Sequence, residues 1–196
     1  MRWGRHRRLA ALLGALLLLG CSEPPRDAIL SEPRQYILDQ VTTDARGIRK
    51  VATFNAQVLV LSRHSYGGLI GDRFAEYAPL DIAVAWGEGA RADVHSRVAI
   101  SQSGRFYYWH AAADAWQDPR VRTFGKHSAN WHLVPANDDI AARFGRIRRN
   151  EVVQITGHLV DIDAPDGTRY RTSRTRHDQG AGSCEIILVS EVATVA

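Results

Sequence analysis

Cysteine is nearly absent: the 196 residues hold two, Cys21 and Cys184. Two thiols make no disulfide framework, so the chain must fold on an apolar core. Other absences narrow the chemistry. There is no Cys-x-x-Cys and no His-Glu-x-x-His, which removes the compact zinc signatures. The glycine-rich run 62–72 is not closed by Gly-Lys-Ser/Thr, so it is not a phosphate loop. Ser128 has no Gly-x-Ser-x-Gly elbow around it. No apolar run reaches the roughly 20 residues a helix needs to cross a bilayer. There is no internal repeat and no low-complexity block.

What is present begins with a basic opening, Arg2, Arg5, Arg7 and Arg8, followed by an uncharged run from Leu9 to Leu19. This is the pattern of a secretory signal. Its ending, Leu18-Leu19-Gly20-Cys21, resembles the lipobox of bacterial lipoproteins. The resemblance implies cleavage after residue 20, acylation of Cys21 and a membrane-anchored, periplasm-facing protein of the cell envelope. Ser22 rather than Asp follows the cysteine, which by resemblance to enteric lipoproteins implies the outer membrane rather than the inner. Losing residues 1–20 removes four of 25 basic residues and no acid, which leaves 21 against 21 acidic residues. A basic balance that would attract nucleic acid is then gone, and no nucleic-acid partner is expected. Cys184 becomes the one remaining thiol in an oxidising compartment.

Residues 21–50 read as a lipid-anchored tether and docking segment. Pro24 and Pro25 keep its start extended, and a short helix is expected from about Arg34. Residues 51–196 read as one β-rich domain. Apolar and polar residues alternate over 51–61 and again over 151–163, both strand signals. Residues 81–86 are a short apolar run, and 92–98 suit a turn or two of helix. A hairpin is expected from residue 98 to His110, turning at Gln102-Ser103-Gly104. Its second strand carries four adjacent aromatics, Phe106, Tyr107, Tyr108 and Trp109. Asn137 with Asp138 and Asp139 caps a short helix that ends at Gly145. Ala164-Pro165-Asp166-Gly167 is a turn, and residues 184–192 form the last strand. The sum is an α+β, β-rich fold: a small antiparallel sheet or partly open barrel with short helices. An OB-like or SH3-like barrel suits residues 140–195.

The densest group of functional side chains is His127-Ser128-Ala129-Asn130-Trp131-His132-Leu133-Val134-Pro135-Ala136. Three readings compete for it. As a metal site, His127 and His132 would act with Cys184, Glu185 or Asp178, but a spacing of five suits neither one helix face nor one strand face. As a nucleophilic site, Cys184 would pair with His127, His132 or His177 as base and Asn130 or Asp178 as orienter. As a structural corner, the polar members bond to backbone while Trp131, Leu133 and Val134 enter the core. A binding role is compatible with the corner: Asn130, Arg174, Arg176, Asp178 and Glu185 would border one cleft for an anionic or sugar ligand. No cofactor is implied.

The runs 81–87, 100–109 and 127–136, with Gly157-His158-Leu159-Val160 and the segment from Ser173 to Glu185, resemble a group of bacterial proteins of unassigned activity. The likeness covers about residues 54–192 and transfers no reaction and no catalytic residue. The expectation is an envelope lipoprotein acting as a binding or interaction module, its partner an envelope protein or polymer. The alternative is a Cys/His-dependent or metal-dependent hydrolase or transferase.

Overall fold

A computed structural model describes residues 31–67, 72–175, 178, 180 and 182–195. Residues 1–20, expected to be a signal, and Cys21, Arg176 and His177 lie outside them. Among the described residues nine strands run in chain order: β1 (Arg34–Thr43), β2 (Ile48–Ser65), β3 (Leu80–Ala85), β4 (Val98–Ser103), β5 (Phe106–Ala111), β6 (Ser128–Pro135), β7 (Val152–Asp163), β8 (Arg169–Tyr170) and β9 (Glu185–Val195). The α-helices are short: α1 (Ala92–His95), α2 (Pro119–Arg122) and α3 (Asp138–Phe144).

Five strands close on themselves in the order β2-β3-β6-β9-β7 and back to β2. All pairs are antiparallel except β6–β9, which is parallel. The β-rich α+β class therefore holds, with a mixed sheet in place of a wholly antiparallel one. Closure depends on β2, whose register shifts near Val51 and Leu61 let its first part pair with β7 and its last part with β3. With α3 between the third and fourth barrel strands, the order is that of an OB barrel. It spans residues 48–195, a wider stretch than the 140–195 expected for it. Interior positions alternate as a barrel requires. Phe54 on β2 and Trp131 on β6 meet edge to face, with ring centroids 5.1 Å apart. Ile140 and Phe144 of α3 join the same core.

Residues 34–43 are a strand rather than a helix. The first half of β2 has an open edge beside β7, and β1 fills it antiparallel, from Arg34 opposite Asn55 to Thr43 opposite Arg49. The docking segment is thus part of the sheet. Helix α3 matches its expected bounds because its signals are local: the Asn137 side chain accepts from the Ile140 N–H at 3.0 Å.

Residues 86–127 are inserted between the second and third barrel strands, and they lay the β4–β5 hairpin over the barrel. Ser103 pairs with Phe106, so the turn is Gly104-Arg105, one residue later than expected. Both turn residues have positive φ, 56° and 73°. A two-residue hairpin needs this conformation, and glycine takes it without strain. Arginine does not, so Arg105 must be held there by its side chain's contacts.

Candidate functional site

The stretch 128–135 is a strand, and its period of two sorts the residues. Trp131 and Leu133 point into the barrel and are fully buried. Ser128, Asn130 and His132 share the outer face, yet each is under 10% exposed: the hairpin lies against Ser128 and Asn130, and the Phe74 ring against His132. The corner reading is therefore half right: the apolar members enter the core, but the polar ones are covered and not in solvent. On β3 the partners of Ser128 and Asn130 are Ala85 and Ala83, small enough to let the hairpin approach.

Each of the three polar residues has a defined bond. Ser128 Oγ donates to the Phe124 carbonyl at 2.9 Å. Its single hydrogen is thereby used, so the Tyr107 hydroxyl, 2.8 Å away, donates to it. Asn130 accepts from Gln102 Nε2 at 2.8 Å and donates to the Arg105 carbonyl at 3.0 Å. His132 Nδ1 lies 2.8 Å from Asp81 Oδ1, directly across the β3–β6 ladder. Asp81 is fully buried and also takes Arg105 Nη1 at 2.9 Å.

Arg105 is the hub of this network. Its Nε and Nη2 hold Asp72 at 3.0 and 2.7 Å, and Nη1 also donates to the Ala78 carbonyl at 2.8 Å. Its guanidinium carbon sits 3.4 Å from the Tyr66 ring centroid. These contacts explain the left-handed turn residue. Burial, with the Asp81 charge beside it, pushes the Tyr66 hydroxyl up to about 12.

Two clefts open beside the network. The first, about 320 Å³, is lined by the aromatic residues Trp86, Phe106, Tyr107, Tyr108 and Trp109. Ser128, Asn130, Asp178, Ser183, Cys184 and Glu185 line it as well. The loop before β9 is folded back toward it: Ser173 N–H bonds to the Cys184 carbonyl, and Ser173 Oγ donates to Asp178 at 2.6 Å. The second cleft, about 560 Å³, is lined by Arg73, Phe74, Arg105, His132, Arg169, Tyr170 and Arg171, among others. Phe106 and Cys184 belong to both, so the clefts meet there. The Cys184 thiol is pushed up to about 11 by burial first and the neighbouring Glu185 charge second, against a smaller opposite effect of Asn130. At neutral pH it is a thiol, not a thiolate.

The loop thus brings Cys184, Asp178 and Glu185 to Asn130, and Cys184 to the cleft that His132 lines. His127 is not brought to them. It ends the 3₁₀ turn Phe124–His127, its carbonyl accepts from Trp86 N–H at 3.0 Å, and its Cβ backs onto Gly89. It lines neither cleft. Among the described residues no group of three or more His, Cys, Asp or Glu is placed to hold a metal. Arg174 turns away to the buried Asp161, 2.9 Å from its Nη2, where Arg49 also binds. Arg176 lies outside the described residues.

Asp81, Gln102 and Arg105 escaped the sequence reading. One signal was available: Asp81 is a charge inside the apolar run Leu80 to Ala85, and a buried carboxylate demands partners. Nothing local named His132 and Arg105 as those partners.

A comparison with models of protein families finds no match, and neither the curated proteins nor the solved structures compared with this chain match it.

Proposed function

We propose that the chain is a lipid-anchored lipoprotein of the bacterial cell envelope, held through Cys21, whose barrel binds a saccharide of an envelope polymer in the aromatic cleft. The single observation that carries the binding role is the make-up of that cleft. The aromatic residues Phe106 and Tyr108, 42% and 54% exposed, line the same cleft as the polar residues Asp178 and Ser183. Ring faces take the C–H face of a sugar while carboxylate and hydroxyl groups take its hydroxyls. A polar ligand with flat apolar faces fits this pairing better than a purely apolar one. The OB order adds an argument by analogy, since the faces and loops of such barrels bind oligosaccharides as well as oligonucleotides.

Binding is preferred to covalent catalysis because both candidate nucleophiles and one candidate base are compromised. Cys184 is held protonated, Ser128 spends its hydrogen on a backbone carbonyl, and His127 faces neither cleft. The test is calorimetric titration of the full chain in detergent micelles with an N-acetylglucosamine tetramer. Saturable binding that Tyr108→Ala abolishes supports the reading, and no heat at millimolar sugar refutes it. The anchor has its own test: Cys21→Ser should move the protein from the membrane to the soluble fraction, and unchanged fractionation overturns it.

A further inference from the structure

The second cleft has a chemistry that the saccharide reading does not use. Its arginines fall into two classes. Arg105 is spent, bonded to Asp72, Asp81 and a carbonyl and only 15% exposed. Arg73 and Arg169 are not, with side chains 73% and 75% exposed; Arg171, 42% exposed, lies between the two, holding Asp163 and the Ile162 and Tyr170 carbonyls. They reach the cleft mouth from two elements: Arg73 from the 3₁₀ turn Arg73–Glu76, Arg169 and Arg171 from β8 and the residue after it.

Their present partners do not neutralise them. Arg73 pairs with Asp166. Asp163 is shared by three guanidinium groups, those of Arg171 at 2.6 Å, Arg49 at 3.7 Å and Arg169 at 3.9 Å. Arg49 holds Asp161 more closely, at 2.8 Å, but Asp161 is itself shared with Arg174, so two carboxylates among four arginines leave positive charge over, and exposed pairs of this kind are weak. An incoming anion can displace them. Beneath the mouth lies an apolar floor: Phe74 stacks on Tyr170 with ring centroids 4.4 Å apart and meets His132 edge to face at 5.3 Å. A charge bound over that floor is less screened by water than one on an open surface. The ring of His132, with Nδ1 held by Asp81, presents its other nitrogen on the side away from that carboxylate.

We propose that this cleft is a phosphate-ester subsite. Arg73, Arg169 and Arg171 are its donors, and the ligand is a phosphorylated saccharide whose sugar occupies the aromatic cleft. Several guanidinium forks arriving from two sides suit a group with three free oxygens better than a planar carboxylate, which one fork saturates. The clefts meet at Phe106 and Cys184, so one molecule can cross from rings to arginines. The sugar half of this proposal rests on the function proposed above; the phosphate half does not.

The experiment titrates the full chain in micelles at low salt with three probes: inorganic phosphate, N-acetylglucosamine and N-acetylglucosamine 1-phosphate. The sugar phosphate should bind roughly tenfold or more tightly than either fragment. The double variant Arg73→Ala/Arg169→Ala changes two exposed side chains and leaves the Arg105 network intact. It should abolish phosphate binding and remove that advantage while the free sugar binds as before. Arginine-dependent binding of phosphate with no binding of the sugar keeps the subsite and overturns the saccharide reading. Phosphate that fails to bind, or binds equally to the double variant, overturns the subsite whatever the sugar does. The conservative Arg73→Lys/Arg169→Lys variant should keep part of the affinity, because charge remains and the forks are lost. Full affinity in that variant would show that net charge, not a built subsite, attracts the anion.

Discussion

The state of Cys184 decides between a binding cleft and a thiol enzyme, and it is measurable. Burial and the adjacent Glu185 raise its thiol from the usual 9.0 to about 11. At about pH 8 the thiolate fraction falls from roughly 10% to roughly 0.1%, so alkylation by iodoacetamide should slow roughly 100-fold relative to the unfolded chain. Peptide-resolved mass spectrometry separates Cys184 from Cys21, and the same protein in urea supplies the reference rate. Replacing Glu185 with Gln removes the second cause and should speed alkylation severalfold. The sign for stability follows from the raised value. The native state holds the proton more tightly, so this contribution is complete below about pH 9 and is lost as pH rises through about 11. Native Cys184 reacting within about threefold of the unfolded rate would refute the argument and restore the nucleophile reading. Rapid reaction only at high pH, with a midpoint near 11, would support it.

Three further outcomes test the scaffold. Arg105→Ala leaves the fully buried Asp81 with His132 alone and should cost about 3–5 kcal/mol in urea unfolding; a loss under about 1 kcal/mol would mean that water replaces the guanidinium. Gly157→Ala places a Cβ 2.1 Å from the Leu188 carbonyl oxygen, at the register shift between β7 and β9. It should destabilise by about 1–3 kcal/mol or more, and an unchanged denaturation midpoint would contradict the register. Asn137→Ala removes the cap of α3 and should cost about 1 kcal/mol, read as a lowered Tm; no shift would show that the cap is idle.

The readable parts of the fold share a property. Strands β2 and β7 appear as alternation, α3 as a cap followed by two acids and a glycine, and the β7–β8 turn as proline and glycine in order. Each signal lies within a few residues of the structure it specifies. The helix expected from Arg34 failed because β1 owes its conformation to the open edge of β2, which no local pattern announces. The stretch from His127 to Ala136 was misread for a related reason. Its polar residues looked like a solvent-facing corner because the surfaces that bury them belong to the inserted hairpin and the Phe74 ring.

The site divides the same way. Composition marked residues 127–136 and 173–185 as rich in functional groups, and both segments do meet, with Asn130, Asp178, Cys184 and Glu185 lining one cleft. The sequence by itself determined the β-rich class, the principal strands, the capped helix and the absence of a disulfide framework, because these follow from periodicity, cap chemistry and residue counts. Only the tertiary structure decided which charges pair. Asp81 meets Arg105 across 24 positions and His132 across 51, and such partners are chosen by barrel closure and by where the hairpin lands. The same closure half-buries Cys184 beside Glu185 and leaves Arg73 and Arg169 facing water. Whether a thiol is reactive or an arginine is free depends on burial and neighbours, and those exist only after the strands have paired.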